Sequence, residues 1–579
     1  MRPTLYGTRH AISAGHYLAA AAGFSILEAG GNAIDAGCAA GVALGVLNPH
    51  DVKVAGVAPI MIRTNDGKVV TIDGLGIWPK RMPADLFMRE HGGRMPLGIL
   101  RTVVPAAPDA WITALRDYGT MSFGDIASAA IRFAREGFGV YEHMRSFIVD
   151  EQADMRRMPA NAAIYLPGGK VPDLDDKFIQ TDLAATLQFM VDEEAATLGR
   201  GLGRLEGLEA AHAAFYKGDI AAKIVDFHEA NGGYLRRDDL AEFRCRYEPP
   251  VHVRWRDMDV YTCGPWCQGP VVAHALAMLD KAGLRDFEHN GVDYVHLVVE
   301  VLKAAFADRE YRYGDPAFVN VDLDELFSDE HIAARVAAID LKKAMPDMPG
   351  PIGPVPCGLD WLETSRRLGE VIGGGAAKPA EQKRVHDTTY LCVIDRWGNG
   401  FSATPSDGNW AAPIVPGTGL MISTRGVQSK TDPRHPSGVA PGKRPRLTPN
   451  PALAVRDDGS VFTFGTPEGD MQTQAMLQVF LNVFHFGMDL QAAIEAPRFA
   501  TFSFPTSFQP PEHFPGQVNL EGRIPAHIAD ELTARGHKVV WWPDYIRKAS
   551  AVEAIFLDRS TGFYRAGADP RQPAYAIVV

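Results

Sequence analysis

The sequence predicts a mixed α/β fold of the α+β kind, with antiparallel strand pairs and separate helical stretches. Two stretches read as hairpins: 60–63 with 69–72 around Asn65-Asp66-Gly67, and 390–394 with 401–404 around Arg396-Trp397-Gly398-Asn399. Between them lie segments with apolar residues at helical spacing, of which 293–318 is the longest. Hydrophobic residues make up 46% of the 579 residues, enough for a large core.

In order along the chain, 17–30 reads as a helix with Leu18, Phe24, Ile26 and Leu27 on its apolar side and Gly30-Gly31 at its end. Asn32 suits the cap of the next helix, 33–47, whose Ala and Gly residues permit close packing. Helices follow at 109–118 and 123–137, and 181–245 is helical with breaks at 215–218 and 231–233. Residues 240–243 and 251–260 lead back into strands, and the helix 293–318 ends near Gly314-Asp315-Pro316. From 345 to 382 the composition turns Pro- and Gly-rich, which predicts exposed, mobile chain. Residues 462–483 read as strand, tight turn and helix.

Composition excludes several classes. Net charge is −12 and no Lys/Arg-rich run stands out, so a nucleic-acid partner is not expected. Six Cys in so long a chain suggest no disulfide framework, and Cys263 and Cys267 read as buried or loop thiols. No apolar run is long enough for a membrane span. His10, Ser13 and His16 interrupt the run a signal peptide would need, so the first thirty residues read as strand, turn and helix. The expectation is a soluble cytoplasmic protein.

The chemistry is carried by 386–408, HDTTYLCVIDRWGNGFSATPSDG. Tyr390, Cys392 and Ile394 alternate with Leu391, Val393 and Asp395, which suits a strand covered on both faces. Thr388-Thr389 opens it. A break between Asp387 and Thr388 would give Thr388 an α-amine beside its hydroxyl. An internal Thr hydroxyl is a weak nucleophile that needs a base, whereas an N-terminal Thr carries one of pKa ~8. Thr404 and Ser406, on the returning strand, are spaced to hydrogen-bond that amine. The plain alternative is an ordinary Thr-Thr pair opening a hairpin.

Thr388-Thr389, the hydrophobic strand, Asp395-Arg396-Trp397-Gly398-Asn399, Thr404 and Ser406 together resemble the small-subunit start of the γ-glutamyltransferase family of N-terminal-nucleophile (Ntn) hydrolases. GGNAIDAGCAAGVALGVLNP, RFAREGFGV, Ala307-Asp308-Arg309, Lys443-Arg444-Pro445, Ala496-Pro497-Arg498-Phe499 and Gly567-Ala568-Asp569-Pro570-Arg571 follow the family's order, so the resemblance spans nearly the whole chain. It implies the Ntn αββα sandwich, two stacked, mainly antiparallel sheets between helical layers. It also implies self-cleavage, making 1–387 and 388–579 large and small subunits of one precursor that share a core. Thr388 Oγ would attack the Asp387 carbonyl, and hydrolysis of the ester would free the amine. Mature Thr388 would then attack a substrate amide, positioned by Thr404 and Ser406. The N–H groups of Glu468 and Gly469, where relatives have Gly-Gly, would receive the oxyanion. Water would complete hydrolysis, and an amine acceptor would make it transfer. No metal and no organic cofactor is needed.

Three substrate positions depart from the family. Leu75 falls where relatives have an Arg for the substrate α-carboxylate, Gln428 where they have an acid for the α-ammonium, and Leu447-Thr448 where they have a Ser pair. Leu cannot make a bidentate bond to a carboxylate. The expected substrate is therefore a small amide whose acyl part lacks an α-ammonium, as for the family's oxamate amidohydrolase and cephalosporin acylase members. Gln428, Thr448 and Asn450 would line its site, and Arg425 and Arg446 would be available for a carboxylate. A true γ-glutamyl substrate, or an uncleaved binding or structural relative, are the alternatives. Homo-oligomerisation is left open.

Overall fold

The strand that follows Thr388-Thr389 lies in the interior of a sheet. Leu391–Ile394 pairs antiparallel with Ala11–Ala14 on one side and Gly400–Ala403 on the other. The computed structural model describes residues 2–284, 287–355, 387–408 and 412–579. In it the complete sheet runs Tyr575–Val578, Ala11–Ala14, Leu391–Ile394, Gly400–Ala403, Ile60–Arg63, Val69–Ile72, Tyr247–Glu248. A second sheet runs Leu5–Gly7, Tyr564–Ala568, Glu553–Leu557, Val461–Gly465, Ala452–Arg456, Met258–Thr262, Val251–Trp255. Every neighbouring pair in both is antiparallel.

The alternation of side chains explains the layering, because successive residues of a strand face opposite sides. Tyr390, Cys392 and Ile394 pack between the sheets against Val461, Ile555, Leu557 and Tyr564. Leu391 and Val393 face the other way, into a core shared with the helices Tyr17–Glu28 and Ala33–Leu47. The outer face of the second sheet is covered by Pro270–Ala282, Val292–Arg312 and Gln472–Phe484. The result is the expected αββα sandwich.

Small residues and a capping network fix the hairpin to its helix. A Cβ on Gly37 would stand 2.2 Å from the Phe401 ring, so only glycine lets this helix lie so close to the strand. Asn32 accepts from the N–H groups of Ile34 and Asp35, and Asp35 returns a bond to the Asn32 N–H. Asp395 in the hairpin turn accepts from Trp397 N–H and Asn399 N–H, and its other oxygen accepts from Ala33 N–H at 2.9 Å. The turn is thus itself part of a helix N-terminus.

Some expectations are corrected. Residues 240–241 end the helix Arg237–Ala241, where Asp239 accepts the N–H groups of Arg236 and Lys80, and the strand begins later, at Tyr247. The stretch 251–260 is two strands, with Arg256 at φ +53° in the turn. Thr388 and Thr389 lie just ahead of their strand, which starts at Leu391. Residues 345–355 lack regular structure yet are tied down: Met345 N–H donates to Glu300, and Arg312 donates to the Ile352 carbonyl. The rest of the Pro/Gly-rich stretch, from 356, lies outside the described residues, as does His386. Cys263 and Cys267 are buried free thiols. Among the described residues no helix is long and apolar enough to cross a membrane.

Candidate active site

Thr388 is held at φ +79°. That left-handed conformation is strained for a β-branched residue, at about 1–3 kcal/mol. Its N–H donates to the Asp51 carbonyl at 3.1 Å, and its hydroxyl bonds Ser406 Oγ at 2.7 Å. Ser406 donates to Asp387 Oδ1 at 2.9 Å and accepts from the Arg425 guanidinium at 2.6 Å. With the Ser406 proton directed to Asp387, Thr388 is the donor in the bond they share. The chain of protons therefore runs Thr388 to Ser406 to the Asp387 carboxylate, and all three side chains are buried.

The elements that position this chain are local. Ser406 and Asp407 pair with Val57 and Val52 across a bulge, with Asp407 at φ +129°. Asp407 accepts from the N–H and hydroxyl of Thr424, and burial pushes its carboxyl up, against the pull of Arg425. The short helical turn Arg425–Gln428 then aims Arg425 at both carboxylate oxygens of Asp387.

On the opposite side, the strand Val461–Gly465 turns into the helix Gln472–Phe484 through Glu468, at φ +80°, and Gly469, at φ +50°. The Glu468 N–H donates to the Asp387 carbonyl oxygen at 3.2 Å. Gln268 locks the turn by donating to the Gly469 carbonyl at 2.9 Å, and Asp470 accepts from Ser507 and Arg309. The Glu468 carboxyl is pushed up to about 8 by burial, with Arg547 opposing and Asp51 and Asp387 reinforcing. Arg547 Nε lies 3.0 Å from it, and Arg547 Nη2 donates to Asp51 Oδ2 at 2.9 Å. Burial likewise pushes the Lys53 amine down to about 7, against Asp407, Asp51 and Asp387.

Of the residues expected at the site, Asp387, Thr388, Ser406, Arg425 and Glu468 are brought into contact. Thr404 is adjacent, but its hydroxyl has no hydrogen bond among the described residues. Gln428 and Thr448 bond each other, Nε2 to Oγ1 at 2.7 Å, and Gln268 links the Thr448 carbonyl to Gly469. Asn450 turns its amide toward sulfur, 3.9 Å from Met476 Sδ. Arg446 is committed elsewhere, to Glu310 at 2.9 Å and the Arg309 carbonyl at 3.0 Å, in a buried cluster with Lys430 and His435. Asp51, Lys53 and Arg547 escaped the sequence reading. The signal for the first two was a charged pair set among apolar residues after the helix 33–47, whereas Arg547 comes from the distant end of the chain.

A family model described as gamma-glutamyltranspeptidase matches residues 19–579. The chain belongs to the gamma-glutamyltranspeptidase family. It is 32% identical to the Acylase ACY 1 proenzyme of Pseudomonas sp. (strain V22), over 95% of this chain and 90% of that one. It is 29% identical to the Glutathione hydrolase-like YwrD proenzyme of Bacillus subtilis (strain 168), with all of both chains covered. Among solved structures, cephalosporin acylase from Bacillus halodurans matches with a TM-score of 0.84 and 27% identity, over 100% of this chain and 97% of that one. The gamma-glutamyltranspeptidase family consists of self-processing Ntn hydrolases, in agreement with the αββα sandwich.

Within this gamma-glutamyltranspeptidase frame, Leu75 and Leu447 pack in one buried apolar cluster with Cys263, Trp266 and Cys267. Two of the three departures are therefore one packing unit. Among the described residues three groups have potential metal-ligand geometry: His50, Asp51 and His143; His274, Asp308 and His331; His296, Glu300 and His537. In each the carboxylate already holds a side-chain cation, Arg547, Arg335 and Lys303 respectively, which competes with a metal for the same charge.

Proposed function

We propose that the chain is a self-processing amidohydrolase that cuts itself between Asp387 and Thr388 and then uses Thr388 as an N-terminal nucleophile on a small amide. The observation that carries this reading is the convergence on the Asp387–Thr388 peptide. The carbonyl oxygen accepts from Glu468 N–H at 3.2 Å, while the Thr388 hydroxyl is linked through Ser406 to a carboxylate. In the first reaction Thr388 Oγ bonds to the Asp387 carbonyl carbon and its proton passes through Ser406 toward Asp387. The C–N bond breaks with protonation of nitrogen, and water hydrolyses the ester. The strain at Thr388 favours this rearrangement. In the second reaction the freed amine is the base for Thr388 Oγ, and Glu468 N–H receives the substrate oxyanion. Leu75, Leu447 and Gln428 argue against a zwitterionic γ-glutamyl end and for an acyl group without an α-ammonium.

Intact mass and N-terminal sequencing of freshly purified protein, beside Thr388→Ala, test this. The expected result is two fragments of 387 and 579 − 387 = 192 residues, the smaller beginning Thr-Thr-Tyr, and a single chain for the variant. A wild-type chain that stays whole would overturn the reading.

A further inference from the structure

We propose that the acyl pocket of the cut enzyme takes a succinyl-type group, the four-carbon half-amide of a dicarboxylic acid, with Arg425 as the anchor for its free carboxylate. The inference rests on the reading of Thr388 as the nucleophile that cuts after Asp387. In the uncut chain Asp387 is the first acyl group the site handles. Its carbonyl oxygen lies on Glu468 N–H at 3.2 Å, and its carboxylate carbon is joined to that carbonyl carbon through Cα and Cβ, the spacing of a succinyl group. Four donors converge on the carboxylate. Arg425 Nη1 meets Oδ2 at 2.8 Å, while Arg425 Nη2, Ser406 Oγ at 2.9 Å and Gly408 N–H at 3.1 Å meet Oδ1. Arg425 and Asp387 are each 1% exposed.

Cutting the chain turns this arrangement into a pocket. Hydrolysis makes Asp387 a chain end, and its departure takes away the main counter-ion of Arg425. The guanidinium is held from other directions, by its turn through the Gln428–Thr448 pair at 2.7 Å and by the Phe508 ring, whose centroid is 5.8 Å away. Asp407 stands 3.9 Å from Nε and is engaged by Thr424, so the two Nη groups that faced Asp387 need another anion. A buried charge that loses its partner is unfavourable, and a planar fork selects a carboxylate. An acyl group that reaches both Glu468 N–H and Arg425 carries its carboxylate three bonds from the scissile carbonyl. A γ-glutamyl group is one bond longer and brings an ammonium that the uncharged Gln428 cannot pair. In turnover Thr388 Oγ bonds to the amide carbonyl carbon, and the amine leaves with the C–N electron pair and a proton. Water then hydrolyses the ester, releasing the diacid and restoring the hydroxyl.

The test uses self-cleaved wild-type protein and the p-nitroanilides of malonic, succinic and glutaric half-acids. It adds the γ-glutamyl anilide and the isohexanoyl anilide, whose branched end has the shape of a carboxylate without its charge. The expected kcat/KM is highest for succinyl, at least about tenfold above isohexanoyl, as a charge-assisted bidentate contact requires. Arg425→Lys, which keeps the charge but not the fork, is expected to raise KM for the succinyl anilide and shrink that preference. Equal rates for succinyl and isohexanoyl, or a γ-glutamyl optimum, would overturn the assignment while leaving amide hydrolysis by Thr388 standing. A chain that never cuts itself overturns both. If cut protein turns over no anilide, calorimetry decides: binding of succinate but not of isohexanoate supports the anchor, and binding of neither overturns it.

Discussion

The amide of Glu468 reaches the carbonyl oxygen of Asp387 only because Glu468 holds a left-handed conformation, at φ +80°. Glycine adopts that conformation without strain, whereas a Glu spends roughly 1–2 kcal/mol on it. The backbone donor is therefore independent of the side chain. Glu468→Gly should keep self-cleavage within about tenfold of wild type, since the N–H and its direction are retained, whereas loss of an oxyanion donor costs about a hundredfold or more. The time course of fragment appearance measures this. A variant as inert as Thr388→Ala would show that the Glu468 carboxyl itself takes part.

Ser406 is the residue that would separate the two proposed reactions. In the uncut chain it is the bridge between the Thr388 hydroxyl and the Asp387 carboxylate. In the proposed mechanism the freed amine takes over as base after cutting. Ser406→Ala should therefore slow self-cleavage by about 10²–10⁴-fold, the usual worth of a positioned proton acceptor. Protein that has eventually cut should lose much less in amide turnover. A deficit equal in both steps would mean that Ser406 only shapes the loop.

Much of this architecture was legible in the sequence because it depends on local patterns. The bounds of the helix Ala33–Leu47 follow from the Asn32 cap and the Ala/Gly run, and the two-faced strand at Leu391–Ile394 follows from strict alternation. The hairpin that follows Thr388 was readable for the same reason. The partners of its charges were not. Arg425 could be named as a carboxylate binder, but not as the partner of Asp387, and Arg446 looks equivalent in sequence although it is spent on Glu310. Asp51 and Arg547 are 496 residues apart, one just ahead of the strand Val52–Val57 and the other ahead of Glu553–Leu557, and only the tertiary fold brings them together at Glu468. The cost of burying charge fixes such pairs, and it leaves no periodic trace.

The Glu468 carboxyl links the site to pH. Burial raises it from an ordinary 4.5 to about 8. A raised acid means that the folded chain binds the extra proton, so its contribution to stability is complete below pH 4.5 and is lost as pH rises to 8. At ~1.4 kcal/mol per pH unit the full swing is at most about 5 kcal/mol. Lys53, lowered to about 7, acts oppositely and adds stability as pH rises above 7. Comparing Glu468→Gln with its parent, both in an uncut Thr388→Ala background, isolates the first effect. Urea unfolding should show the Gln variant gaining on its parent between pH 5 and pH 9. A constant difference would place the ionised carboxylate in its pair with Arg547 throughout that range.

Leu75 and Leu447 are packed together in a buried apolar cluster, at the positions where the sequence resemblance leads one to expect Arg and Ser. Restoring one polar group at a time should therefore fail. Leu75→Arg puts a charge into that cluster among Trp266, Cys263 and Cys267, beside Asp73 and Glu248, which Arg444 already holds. An unpaired buried charge is expected to lower stability by about 3–5 kcal/mol, seen as a clear fall in Tm, with no gain in γ-glutamyl anilide hydrolysis. The triple change Leu75→Arg, Gln428→Asp and Leu447→Ser supplies partners together and should recover part of that loss. A Leu75→Arg protein as stable as wild type and active on γ-glutamyl anilide would show that the substrate pocket was polar all along, and that the apolar cluster does not set specificity.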